Sequence, residues 1–173
     1  NLSRLPLRME AYDISNIQGK LAVGSMVVFE RGKPKPAHYR RFRIKTVAAA
    51  DDYAMLQEVL QRRFKRSRDV DSTWAAVPDL VLIDGGKGQL NAAREIMGNI
   101  GAESLPIASL AKEKEALFIP QKAEPIILAR SSPALQLLQR LRDEAHRFAI
   151  SYHQRIRKRE TFVSALDSVP GIG

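Results

Sequence analysis

Leu80-Val81-Leu82-Ile83 runs directly into Asp84-Gly85-Gly86-Lys87-Gly88-Gln89. Large apolar residues without polar alternation read as a strand buried on both faces, the pattern of a parallel sheet between helices. Such a strand demands covering layers on two sides, and so an α/β architecture. Its terminal carboxylate falls at the strand's carboxyl end, where open α/β sheets place their ligand sites. The glycines that follow allow a sharp turn or a close approach to a ligand.

The flanking patterns supply the rest of the sheet. Residues 7–14 read as a first strand with Asp13 at its end, and the Val-rich residues 21–29 as a second. After a turn at Glu30-Arg31-Gly32-Lys33-Pro34, residues 38–45 read as a third strand near a sheet edge. Residues 51–66 form a helix with Met55, Leu56, Val59, Leu60 and Phe64 at helical spacing, and the basic run from Arg62 to Arg68 suits its C-terminus. Residues 67–78 are a loop with the single Trp, 89–97 a second helix and 106–110 a further strand. Short strands around 117–119 and 126–128 suggest a hairpin insertion. Ser132 and Pro133 then start a long helix whose seam is Leu138, Leu141, Ala145, Phe148, Tyr152 and Ile156. The expectation is a mixed five-stranded sheet, three antiparallel strands followed by βα units, flanked by helices.

The 173 residues suffice for one domain with a sizeable core. With 28 Lys and Arg against 19 Asp and Glu, the net charge of +9 favours a polyanionic partner such as nucleic acid. The absence of Cys excludes disulfides and thiolate metal sites. No run approaches the roughly 18 apolar residues of a membrane span, and no signal peptide opens the chain. A cytosolic location is the default expectation. The missing initiator Met and the abrupt end at Val169-Pro170-Gly171-Ile172-Gly173 suggest a piece of a longer protein.

If the first strand lies beside and parallel to the Asp84 strand, Asp13 and Asp84 meet at one sheet edge, strands being about 4.8 Å apart. Two facing carboxylates suit magnesium or manganese, which can activate water and stabilise phosphoryl charge. His146 lies next to the seam of the long helix and offers a ligand or a proton-transfer group; Asp143 and Glu144 are rivals beside it. Asp51 or Asp52 is either a further carboxylate or the cap of its helix. Gly85-Gly86-Lys87-Gly88 lacks the spacing and the hydroxyl residue of a phosphate loop. Arg40, Arg41, Arg43, Lys87, Lys112, Arg147, Arg155 and Arg157 are candidates for phosphate contacts, with a solvated basic face as the plain alternative.

Four segments carry a resemblance: Tyr12-Asp13-Ile14-Ser15-Asn16-Ile17-Gln18-Gly19, Asp51-Asp52-Tyr53, Leu82-Ile83-Asp84-Gly85-Gly86-Lys87-Gly88-Gln89, and Arg142-Asp143-Glu144-Ala145-His146-Arg147-Phe148-Ala149. In this order they resemble the UvrC family, the nuclease subunit of the bacterial excinuclease of nucleotide excision repair. The resemblance implies a ribonuclease H-like fold and the 5′ incision beside a lesion in double-stranded DNA. It implies Asp13, Asp84 and His146 as the catalytic triad, with a further carboxylate from Asp51 or Asp52. Ala50 stands where the family pattern has Gly. Leu166 to Gly173 looks like the opening of the family's helix-hairpin-helix module, dividing the chain into a nuclease domain at 1–160 and a linker with the truncated module at 161–173. UvrB, and the UvrA pathway, would be partners of the full-length protein in the bacterial cytoplasm. The competing reading is a non-catalytic nucleic-acid-binding or scaffold domain with the same fold.

Overall fold

The computed structural model of the chain describes residues 2, 4–17, 21–47, 51–66 and 74–167, with backbone alone at 16, 17, 21, 153 and 155–167. Ten elements are used below: β1 (Arg8–Ile17), β2 (Leu21–Glu30), β3 (Lys33–Pro34), β4 (Arg40–Arg43), α1 (Asp52–Arg66), β5 (Leu80–Asp84), α2 (Lys87–Asn99), β6 (Ile107–Ala111), β7 (Ala116–Phe118) and α3 (Pro133–Asp167). Among the described residues no helix is long and apolar enough to cross a membrane. Residues 168–173, most of the expected helix-hairpin-helix opening, lie outside the described residues.

The strands form one mixed sheet in the order β3-β2-β1-β5-β6-β7, with β4 also on β2. A strand has two edges, and β1 occupies one edge of β2 over its full length, from Arg8↔Glu30 to Ile17↔Leu21. β3 and β4 therefore share the other. β5 runs parallel to β1, β6 parallel to β5, and β7 turns back antiparallel. Seven strands are described where five were expected. The additional ones are short. β3 forms within the expected turn, and β7, one arm of the expected hairpin, joins the sheet while the other arm makes only the Leu117↔Ile126 bridge. β4 starts later than predicted because Pro36–His38 forms a 3-10 turn with Pro at its start, and it ends at Arg43.

Alternation along the strands sorts the core into two layers. Tyr12, Val28, Val81 and Ile83 pack with Leu56, Val59, Leu60, Leu90 and Met97 of α1 and α2. On the opposite face Met9, Ala11, Val27, Leu80 and Leu82 pack with Leu135, Leu141 and Ala145 of α3. Gly24 of β2 lets α1 lie close, since a Cβ there would fall 2.3 Å from a Val59 methyl.

One buried charge pair was not legible in the sequence. Arg63, read there as part of a basic helix end, is fully buried on α1. Its guanidinium donates to both carboxylate oxygens of Glu10 at 2.8 and 3.0 Å, and to the carbonyls of Trp74 and Ala76. Arg8 and the Tyr12 hydroxyl complete the shell around Glu10. A charge buried this deeply is tolerable only when paired and hydrogen-bonded throughout. Glu10 lies on the α1 face because it is one residue out of phase with Met9 and Ala11.

Candidate active site

The same alternation aims the two acids. Asp13 shares the parity of Met9 and Ala11, and Asp84 that of Leu80 and Leu82, so both belong to the α3 face. The β1–β5 register ends at Tyr12↔Ile83, which leaves Asp13 level with Asp84 one step further on. β1 itself continues to Ile17 rather than ending at Asp13, because β2 still pairs with it after β5 has turned away at Gly85. α3 is fastened at this level. Ala145 is fully buried, and the Ser25 hydroxyl lies 3.1 Å from its carbonyl and 3.4 Å from that of Asp13. The next residue, His146, overhangs the sheet edge. Its Nδ1 lies 3.2 Å from Asp13 Oδ2 and 3.8 Å from Asp84 Oδ2.

One ligand atom from each of Asp13, Asp84 and His146 lies within 4.8 Å of the others. Burial dominates the electrostatics of both acids. Burial, and then the neighbouring Asp84 charge, push the Asp13 carboxyl up to about 6, with His146 opposing. Burial also raises Asp84, against the pull of Lys112, His146 and Arg142. Lys112 Nζ stands 3.4 Å from His146 Nε2. An ammonium only donates, so this Nε2 is the accepting nitrogen and the neutral ring carries its proton on Nδ1, toward Asp13. Two carboxylates and an imidazole within reach of one another fit a hard divalent cation.

The other predicted residues divide. Asp51 caps α1, its Oδ1 accepting the N–H groups of Tyr53 and Ala54, both at 3.0 Å. Asp52 instead shares a small cleft with Asp84. Glu144 is engaged away from the acids. It accepts from Arg147 and the Tyr39 hydroxyl, and the Arg147 contact holds its carboxyl low. Arg40 donates to the Ala37 and Tyr39 carbonyls. Arg41 stacks 3.7 Å above Phe148 and bonds Ser151, fastening β4 to α3. Arg43, Lys87 and Arg147 are exposed, Lys87 reaching the Ala123 carbonyl. Lys112 and Arg147 line an open groove beside His146. The Arg155 and Arg157 side chains lie outside the described residues.

Two groups near the site had no assigned role from the sequence. Arg142, nearly buried, binds Glu115 through both terminal nitrogens and so ties α3 to the 3-10 turn after Lys112. In that turn Lys114 and Glu115 take φ of 56° and 50°, a left-handed pair that non-glycine residues adopt at a cost. Gln89 folds back over Gly85, and Tyr53 lies over Gly88, where a Cβ would meet its hydroxyl at 2.4 Å. The glycines after Asp84 thus accommodate this protein's own side chains. A Gln three residues after a helix-start position is half of a capping box and was the available signal for the first contact.

Comparison with known proteins places the chain in a family. A family model described as the UvrC RNAse H endonuclease domain matches residues 1–150. The UvrABC system protein C of Dehalococcoides mccartyi (strain CBDB1) is 59% identical over 99% of this chain, and that of Moorella thermoacetica 57% identical over 99%. The chain spans 29% and 28% of the lengths of these two relatives. The crystal structure of human ENDOV aligns with a TM-score of 0.50 at 14% identity, covering 90% of this chain and 86% of that one, a likeness of fold alone. The family match and the strand topology agree: the fold is ribonuclease H-like and the chain belongs to the UvrC RNase H endonuclease domain family.

Proposed function

We propose that this domain is a divalent-metal-dependent endonuclease that hydrolyses a phosphodiester in double-stranded DNA. Within a full-length excision-repair protein acting with UvrB in the bacterial cytoplasm, it would make the incision 5′ to a lesion. The observation that carries this reading is the convergence of Asp13, Asp84 and His146 within 4.8 Å, with Asp13 raised to about 6. Asp13 and Asp84 would hold magnesium or manganese through carboxylate oxygens, with His146 as third donor. When bound, such a cation supplies Lewis acidity toward the phosphate and lowers the pKa of water. The Asp13 carboxyl must be ionised to ligate, so metal uptake strengthens as pH rises through about 6. Asp52 would face the site across the cleft it shares with Asp84. Asp51 and Glu144, engaged elsewhere, would take no direct part.

Lys112 and Arg147 beside His146, with Lys87 and Arg43, are proposed to hold phosphates flanking the cut, joined by Arg155 and Arg157 further along α3. Arg40 and Arg41 would act through the fold they brace. Residues 161–173 would lead from the nuclease domain, at 1–160, into a helix-hairpin-helix module.

The test is nicking of a pre-nicked lesion duplex with manganese, wild type against Asp84→Ala. Loss of 5′ cutting with retained DNA binding is expected. Full nicking by Asp84→Ala, or manganese binding that ignores Asp13 and Asp84, would leave a nucleic-acid scaffold as the better description.

A further inference from the structure

The turn after Asp84 is shaped around one amide. At Gly85 φ is +156°, and a Cβ would fall 2.9 Å from both Cγ and Cδ of Gln89. Any side chain there would be strained and would displace Gln89. The Gly86 N–H donates to Gln89 Oε1 at 3.1 Å. A peptide N–H only donates, so the atom held there is the carboxamide oxygen, and the amide orientation follows from its partner. Nε2 is left with two N–H donors and no hydrogen-bond partner among the described residues. Gln89 lines the cleft that also holds Asp52, Asp84, Tyr12, Ile14 and Ile83. The Tyr12 hydroxyl is already committed to Glu10. The remaining polar walls are carboxylates, which accept when ionised. Gln89 is thus a pre-oriented neutral donor beside two acids.

From this geometry we infer that Gln89 contacts the substrate, its Nε2 donating to a non-bridging oxygen of the scissile DNA phosphodiester. The inference rests on the nuclease reading above and names a further residue of that site. A phosphate oxygen beside Asp84 and Asp52 is repelled by both and can be held on this wall only by a donor. A Lys or Arg in the same place would pair with Asp84 and compete with the cation. An amide donates without neutralising the carboxylates. Tethering at Oε1 fixes the side chain before substrate arrives, so little rotamer freedom is lost on binding.

Gln89→Glu isolates the donor. The carboxylate still accepts from the Gly86 N–H, preserving the helix start, but presents an acceptor to the phosphate. In the full-length protein with manganese on a pre-nicked duplex, kcat/KM should fall about 10- to 100-fold, the range for a lost hydrogen bond to a charged group. The thermal midpoint should stay within a few degrees of wild type. Gln89→Met supplies a second reading through the two phosphorothioate diastereomers at the scissile position. The sulfur effect at the contacted oxygen should shrink in this variant, because the donor it weakens is already gone. If wild type fails to nick, or Asp84→Ala nicks equally well, the nuclease reading itself fails. If wild type nicks and Asp84→Ala does not, while Gln89→Glu stays within threefold of wild type or Gln89→Met shows unchanged sulfur effects, the role of Gln89 alone is overturned.

Discussion

Replacing Asp13 by the uncharged, isosteric Asn tests whether the site concentrates unbalanced negative charge. In the folded chain burial and the Asp84 charge raise this carboxyl from 3.8 to about 6. It therefore holds its proton more tightly folded than unfolded. The stability this lends is fully present below about pH 4 and is lost as pH rises through about 6. The full span is worth about 3 kcal/mol, of which roughly half persists at pH 5 and almost none at pH 8. Asn carries no such dependence. With metal chelated, Asp13→Asn should gain about 1.4 kcal/mol on wild type between pH 5 and pH 8. Urea unfolding at the two pH values measures this directly, with unchanged m-values as the control. In thermal unfolding the same gain is roughly 3–6 °C. Saturating manganese should reverse the ranking, adding about 2.7 kcal/mol to wild type at a hundredfold excess over Kd and little to the variant. A stability difference that is flat with pH, or that moves toward wild type at pH 8, refutes the argument.

Glu10→Gln should cost about 3–5 kcal/mol in urea unfolding, because it leaves Arg63 buried with its charge unmatched. A cost below 1 kcal/mol would show that the pair is not the anchor of α1. Gly24→Ala should lower stability by about 1–3 kcal/mol, measured by thermal unfolding, since the new methyl meets Val59 in the core. Gly88→Ala should be milder, because the obstructing Tyr53 hydroxyl ends a half-exposed side chain that can swing away. Gly85→Ala should lower nicking together with stability, by expelling Gln89 and straining the turn; unchanged nicking would separate that turn from the chemistry.

The parts of this molecule written in local pattern were readable without coordinates. The Leu80–Ile83 run announced a buried parallel strand, and the Met55–Phe64 spacing announced α1, because periodicity reports which face meets the core. Asp84 and His146 could be nominated because one sits at a strand's end and the other beside an apolar seam, and Asp13 because the strand pattern over residues 7–14 places it near the end, although β1 continues past it to Ile17. Short elements were harder. β3 has two residues and exists only because β2 offers an unpaired edge beside it. Arg63 carries no local sign that it is buried. Its environment is made by Glu10, fifty-three residues away in the chain.

The sequence by itself determined that a sheet would be covered on both faces, that Asp84 would stand at a strand end and that the chain would carry a net positive charge. These follow from composition and from periods of a few residues. Only the tertiary structure decided that Asp52 shares a cleft with Asp84, that the Tyr39 hydroxyl reaches Glu144, and that Gly88 makes room for Tyr53. Each of those outcomes depends on which group lies opposite, and that is set by strand register and helix docking between distant segments.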